Sequence, residues 1–412
     1  MGRDIFLFGF DIHHPLAYWT LHFGPCYALR SHVQKIEFAD SPQSTIGVEW
    51  EIALVNQENA DLCSVAEEVL DHLKLDAGVP LDQEHPTIKP ELLMNTVEIV
   101  TGVHNKVSEA ADELRSNVRK LNEITTPLGV DLYCAGSHPF AAPTSQPVTD
   151  KERYANLIDR TQWWGRQMVI YGVHVHVGLD DREKALPITD GLVNYQPHFQ
   201  ALSASSPYWG GEDTGYASQR ALMFQQLPTA GIPFHFNSWS EYEAYVADML
   251  YTGVIDDVSE IRWDVRPVPR LGTVEMRICD GMSSLEDISA ITALTQCLVH
   301  DMSLALEAGN KIPVMPAWYR VENKWRAARY GLDAIIILNA QGDEMLVTDH
   351  LRSEVKRLTP IAEQLGCADE LQGIIRLIER GAEYQRQRQI FEKSDGNFRD
   401  IVKDNVNRMK LA

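Results

Sequence analysis

Carboxylate and apolar side chains alternate through residues 45–54 (TIGVEWEIAL), the period-2 pattern of a strand with one polar face. Ser64 followed by Glu67 predicts a capping box opening a helix that runs to about Leu73. Residues 92–101 (LLMNTVEIVT) predict a second strand. From 105 to about 124, apolar Val107, Ala111, Leu114, Val118 and Leu121 recur every three to four residues, which predicts a helix. A short strand is expected at 132–135. Thr149 with Glu152 predicts another capping box, for a helix carrying Tyr154, Leu157 and Ile158. Residues 172–178 (GVHVHVG) predict a third long strand, and 186–204 a helix. Residues 205–237 are dense in Gly, Pro, Ser and aromatics, and loops of that length in a compact domain usually carry function. A fourth strand is predicted at 273–279 (TVEMRIC), then a helix capped by Ser284 and running to about Leu306. Residues 322–412 read as mainly helical and hydrophilic.

Strands that carry polar groups on one face, separated by helices and loops, predict an α+β domain whose sheet is itself the floor of a polar site. No internal repeat, low-complexity tract or clear linker interrupts the chain. Its 412 residues suffice for a large core in one large domain or two intimate ones, and 44% hydrophobic with 23% charged residues is a globular composition. The opening segment is apolar and aromatic, but Asp4, Asp11, His13, His14 and His22 interrupt it. We expect residues 1–37 to be a poorly ordered extension and 38–412 the catalytic domain, with a degenerate signal peptide as the competing reading.

A net charge of −21 excludes nonspecific binding to nucleic acid or anionic membranes, which need a positive surface. It does not exclude an anionic substrate held locally by arginines and a divalent cation. The six cysteines are scattered without zinc-ligand or redox spacing, and no run approaches the ~20 apolar residues that span a bilayer. Both features fit a cytoplasmic protein with reduced thiols.

Glu49 and Glu51 (G-V-E-W-E) are two apart, so on a strand their carboxylates project from one face about 7 Å apart. They describe a solvated strand face or a cation site. Glu98, set among Val97, Ile99 and Val100, favours the cation site, because a carboxylate among core residues needs a partner. His174 and His176 share the same geometry, as a zinc pair or as two hydrogen-bonded core histidines. The carboxylates around them suit magnesium or manganese better than zinc. Glu275 and Arg277 form either a structural ion pair or one metal group beside one phosphoryl group. Arg262 and Arg266 both point inward only if their segment is helical or kinked, and surface ion pairing is the alternative. Asn323, Lys324, Arg326 and Arg329 form either a solvated basic face or a nucleotide-binding cluster.

The series E-x-E, E, H-x-H, E-x-R is far more specific than any one of its parts. With IGVEWEI, MNTVEIVTG, YGVHVHVG, SPYWGGEDTGYASQR, GTVEMRICD and ENKWRAARYGLDA, the chain resembles the glutamate-cysteine ligase type 2 family from about Phe38 to the C-terminal helices. More distantly it resembles glutamine synthetase. The resemblance implies a glutamine synthetase-like fold, a curved and mainly antiparallel sheet with helices packed outside. It also implies ATP and Mg2+ (or Mn2+) as cofactors, glutamate and an amine such as cysteine as substrates, and γ-glutamylcysteine, ADP and phosphate as products. On the same ground Glu49, His174 and Glu275 hold a metal bridging the nucleotide phosphates, and Glu51 and Glu98 hold a second nearer the amino acid. His176 faces nucleotide phosphate, and Arg277 faces the phosphoryl group in transfer or a substrate carboxylate. The resemblance favours a nucleotide or substrate role for Asn323, Lys324, Arg326 and Arg329; Arg262 and Arg266 are expected to serve phosphate or substrate, and Arg220, in a long loop covering the amine acceptor, to act as a carboxylate clamp. The family often has Glu where Trp50 stands, but that side chain should point to the opposite face, so no ligand is lost. The competing readings are a zinc hydrolase built on the two histidines and a noncatalytic glutamate- or nucleotide-binding homologue. A different amine or carboxylate substrate stays open, as does the choice between monomer and homodimer.

Overall fold

The alternation at residues 45–54 becomes β1 (Ile46–Asn56), the longest strand of a seven-stranded sheet. The structure is a computed structural model that describes residues 35–411, so the expectation for the first 34 residues lies outside the described residues. The chain from Ile36 is tied down: its N–H donates to Glu243 Oε1 at 2.9 Å and its carbonyl accepts from Trp239 Nε1 at 3.4 Å.

The remaining strands are β2 (Ile88–Pro90), β3 (Thr96–Val100), β4 (Val130–Tyr133), β5 (Val173–Gly178), β6 (Tyr208–Trp209), β7 (Glu212–Asp213), β8 (Val265–Val268), β9 (Thr273–Met276), β10 (Ile335–Ile337) and β11 (Glu344–Leu346). The main sheet runs β2-β3-β1-β5-β9-β8, with β4 also paired to β1, and every pairing is antiparallel. Strands β6 and β7 form a small hairpin inside the long loop, and β10 with β11 form another.

The helices in chain order are α1 (Ala66–Asp76), α2 (Val107–Thr125), α3 (Glu152–Thr161), α4 (Ala185–Ser203), α5 (Arg220–Phe224), α6 (Trp239–Tyr251), α7 (Leu285–Glu307), α8 (Ala317–Tyr330), α9 (Val347–Leu365), α10 (Ala368–Arg380), α11 (Glu383–Lys393) and α12 (Phe398–Leu411). Ser284 caps α7 as expected, accepting from Asp287 N. The two predicted capping boxes do not form. Helix α1 starts after Val65 and α3 after Lys151, neither with a side-chain cap, and Thr149 Oγ1 instead donates to the Glu91 carbonyl at 2.6 Å. On α2 the buried alanine is Ala110 rather than Ala111. The 205–237 stretch is a structured loop, holding the β6–β7 hairpin and α5.

Alternation divides the sheet into two chemistries. Val48, Trp50, Ile52, Val97, Ile99, Val173, Val175, Val177, Val274 and Met276 are all buried and face α2, α4 and α7. Each such side chain stabilises the fold by roughly 1.5–3 kcal/mol. Trp50 lies on this face, wholly buried, donating Nε1–H to Cys134 Sγ at 3.1 Å. The opposite face carries the acidic groups.

Candidate active site

Residues directly opposed on antiparallel strands share a face, so the register alone assembles the floor. Lys89 lies opposite Glu98, and Glu98 opposite Glu51. Glu49 lies opposite His174. Gly47, His176, Glu275 and Arg266 form one row across β1, β5, β9 and β8. Glu49, Glu51, Glu98, His174 and Glu275, from four strands spread over more than two hundred residues of chain, thus meet on one surface.

The contacts are close. His174 Nδ1 is 2.9 Å from Glu49 Oε2, and His176 Nε2 is 3.3 Å from Glu49 Oε1 and 3.9 Å from Glu275 Oε1. His174 Nε2 is buried without a hydrogen-bond partner among the described residues, 4.0 Å from Glu51 Oε1. His176 Nδ1 sits 3.0 Å from Thr273 Oγ1, which fixes the ring with Nε2 toward the carboxylates. Arg266 and Arg277 flank Glu275 at 2.6 and 2.5 Å. Among the described residues, three sets of side chains have donor atoms within 4.8 Å of one another: Glu49, His176 and Glu275; Glu49, Glu98 and His174; Glu51, Glu91 and Glu98. Oxygen-rich sets with one imidazole fit magnesium or manganese, and the buried unpartnered His174 Nε2 is the sort of atom a cation satisfies.

The charges are polarised across the floor. Toward β9 and β8, burial opposes ionisation, but Arg266, Arg277 and His176 hold Glu275 well below the usual carboxylate range. Burial likewise works against Glu49, and its bonds to His174 and His176 win. Toward β2 and β3 the balance reverses. Burial and then Glu91 push the Glu51 carboxyl up to about 7, and burial with Glu49, Glu91 and Glu51 raises Glu98 well above its ordinary value. Burial raises Glu91 too. One end carries ionised acids beside arginines; the other crowds three acids that repel without an added cation.

The sequence model of glutamate-cysteine ligase family 2 matches residues 45–404, which includes every strand of this floor. The chain belongs to that family. A relative from Arthrobacter sp., provisionally named glutamate–cysteine ligase 2-1, is 63% identical over 381 residues, covering 91% of this chain and 98% of its own. Another from Paenarthrobacter aurescens, provisionally named glutamate–cysteine ligase 2-2, is 61% identical over 377 residues, with 91% and 98% covered. Among solved structures, a glutamate–cysteine ligase from Francisella tularensis in complex with AMP aligns with TM-score 0.61 at 12% identity, over 91% of this chain and 90% of that one. A bifunctional glutathione synthetase from Pasteurella multocida aligns with TM-score 0.62 at 15% identity, over 89% of this chain and 52% of that one. At such identities the likeness is one of fold, and it agrees with the expected antiparallel sheet clothed in helices.

In this family member Glu91 completes the acidic end, and the sequence reading passed over it. It follows the three-residue β2, whose Pro90 disguises a strand, and its only signal was a charged residue seven before Glu98. Other expected residues lie where their side chains are already engaged. Asn323 exchanges two hydrogen bonds with Ile337, each 2.8 Å, joining α8 to β10. Lys324, buried, pairs with Asp264 at 2.7 Å. Arg326 pairs with Glu322 and Glu344, and Arg329 lies over the rings of Tyr216 and Tyr330. Arg266 is on the floor because β8 is a strand. Arg262 lies before that strand and donates to the Glu260 carbonyl at 3.0 Å. Arg220 is 3% exposed, donating to the Arg277 and Ile278 carbonyls at 3.2 and 3.4 Å, not presented to solvent as a clamp.

Proposed function

We propose that this chain is an ATP-dependent carboxylate–amine ligase that activates the side-chain carboxylate of glutamate and joins it to an amine, with cysteine the first acceptor to test. What carries the reading is the floor itself, where Glu49, Glu51, Glu91, Glu98, His174, His176 and Glu275 lie on one sheet face beside Arg266 and Arg277. The printed names of the relatives support the same chemistry.

A carboxylate resists attack by an amine because its oxygen is a poor leaving group. Transfer of the ATP γ-phosphoryl to a glutamate side-chain oxygen gives an acyl phosphate and ADP. The amine then attacks the carbonyl carbon, the C–O bond to phosphate breaks, and amide and phosphate are released. Glu49, Glu275 and a histidine would hold one magnesium ion, and Glu51, Glu91 and Glu98 a second. When bound, the ions supply Lewis-acid neutralisation of phosphate charge. Arg277 and Arg266 supply fixed guanidinium groups where negative charge develops, and the rigid sheet holds the reacting groups in register. We assign the activity to residues 38–412 and to the reducing cytosol, in keeping with the scattered cysteines, of which the five described are free thiols. Among the described residues no helix is long and apolar enough to cross a membrane.

The test is ADP release with magnesium, ATP and glutamate against a panel of amines that includes cysteine. Amine-dependent ADP release that also needs glutamate and magnesium supports the ligase. Hydrolytic activity without ATP but with bound zinc points to the histidine-pair hydrolase, and ATP binding without turnover on any amine points to a noncatalytic homologue.

A further inference from the structure

Gly172 precedes β5 and touches Glu51 twice. Its carbonyl accepts from Glu51 N at 3.1 Å, and its N–H donates to Glu51 Oε2 at 2.5 Å. It is not in the left-handed conformation, so its lack of a side chain is a matter of space rather than of backbone freedom. That space is filled: a Cβ on Gly172 would lie 2.1 Å from Arg220 Nη2 and 2.7 Å from Arg220 Cζ. The guanidinium therefore packs against the bare backbone of the residue that holds the Glu51 carboxylate.

Arg220 is fixed from several sides. Its backbone N–H donates to Ser206 Oγ at 2.9 Å, and Ser206 Oγ donates to the buried Asp280 at 2.7 Å. Its Nη1 bonds the carbonyls of Arg277 and Ile278, and the Phe224 ring lies 5.8 Å from both its Cζ and that of Arg277. Its Nε is buried with no hydrogen-bond partner among the described residues. The guanidinium is enclosed by these contacts and packs on the residue whose N–H holds the Glu51 carboxylate.

We propose that Gly172 and Arg220 form a positioning unit that aims the Glu51 carboxylate at the cation held with Glu91 and Glu98. This rests on the ligase reading of the floor. Gly172 sets the carboxylate's direction through its N–H, and Arg220 keeps Gly172 from shifting by occupying the space beside it while tying that region to the segment after β9 that carries Arg277. Groups that orient a metal ligand typically change metal affinity by about 10- to 100-fold when lost.

The experiment is Mn2+ titration of the ligand-free protein, followed by electron paramagnetic resonance, for wild type, Gly172→Ala and Arg220→Lys, each checked for folding by melting temperature. Two classes of bound Mn2+ are expected in wild type. In Gly172→Ala one class weakens about tenfold or more while the other is unchanged. Arg220→Lys keeps the charge but loses the planar fork, and should weaken the same class by less. It serves as the reading if Gly172→Ala does not fold. Two unchanged classes in folded variants, or a lower melting temperature alone, overturn the positioning role and leave the ligase reading standing. Wild-type protein that binds no Mn2+ overturns both. In turnover assays the positioning role predicts a higher Mg2+ requirement with glutamate KM unchanged, whereas a rise in glutamate KM alone returns Arg220 to the role of substrate clamp.

Discussion

Two sets of buried or half-buried carboxylates in this protein are treated in opposite ways. Asp280, fully buried, accepts from Ser205 N at 3.0 Å, Ser206 Oγ at 2.7 Å and Ser218 Oγ at 2.9 Å. Asp264 is met by Lys324 at 2.7 Å and Gln196 at 2.9 Å, and Asp190 by Arg320 at 2.9 Å and His235 at 2.7 Å. At the acidic end of the floor Glu51 receives one backbone N–H, Glu91 receives one, and Glu98 none from any described residue. A fold that surrounds its structural acids with donors can do the same elsewhere. It does not do so where three carboxylates crowd together, and that is the arrangement an added cation would neutralise.

The contrast breaks most visibly at a structural acid. Asp264→Ala leaves the Lys324 ammonium buried and unpaired, which should cost about 3–5 kcal/mol of stability. Turnover per folded molecule should be retained, and denaturant unfolding alongside an active-site assay measures both. A severe loss of turnover in well-folded protein would show that the scaffold and the floor are not separate.

Arg277 tests the other end of the floor. In the proposed ligase Arg277→Ala removes a guanidinium from the place where phosphate charge would develop, and should lower turnover by about 10²- to 10³-fold, or roughly 2.7–4 kcal/mol. ATP binding should change much less, because the stronger interaction is in the transition state. Arg277→Lys should recover part of the rate. Lowered melting temperature with near-normal turnover would instead make Arg277 a structural partner of Glu275.

These contrasts were only partly legible in the sequence. The E-x-E and H-x-H pairs announced themselves because strands of period two, set among Val, Ile and Trp, put both members of each pair on one face, and the four pairs and singles together are more specific than any one of them. β2 is three residues ending in proline, too short for any periodicity, and Glu91 was lost with it. Arg262 and Arg266 are four apart, so both point inward only on a helical or kinked segment, yet only Arg266 is in a strand. The basic residues 323–329 look like a nucleotide-binding cluster because the partner of Lys324, Asp264, is sixty residues away in sequence. Composition shows a charge; it does not show what meets it.

Glu98→Gln sharpens the comparison at smaller amplitude. It removes one of three mutually repelling acids, so metal-free protein should gain on the order of 1 kcal/mol at neutral pH. The same change should weaken Mg2+ or Mn2+ binding and reduce turnover. A structural acid gives the opposite sign, and a less stable Glu98→Gln would place this residue with Asp264 and Asp280.

A pH dependence is also expected, and its sign differs between the floor and the buried His138. The Glu51 carboxyl is raised from an ordinary 4.5 to about 7, chiefly by burial and then by Glu91. The folded state therefore keeps a proton that the unfolded chain has released, and this contribution to stability is full below pH 4.5 and lost as pH rises through about 7. His138 behaves oppositely. Burial lowers it from 6.5 to about 4, the unfolded chain binds a proton that the folded one refuses, and stability falls as pH drops from 6.5 toward 4. Saturating Mg2+ should hold Glu51 ionised, since a ligand oxygen must be deprotonated. The loss between pH 5 and 7 should thus be present in EDTA and absent with Mg2+, while the His138 limb is the same in both. Melting temperatures across pH 4–8 in the two conditions decide it, and a Mg2+-independent curve above pH 5 would mean that Glu51 does not ligate the ion.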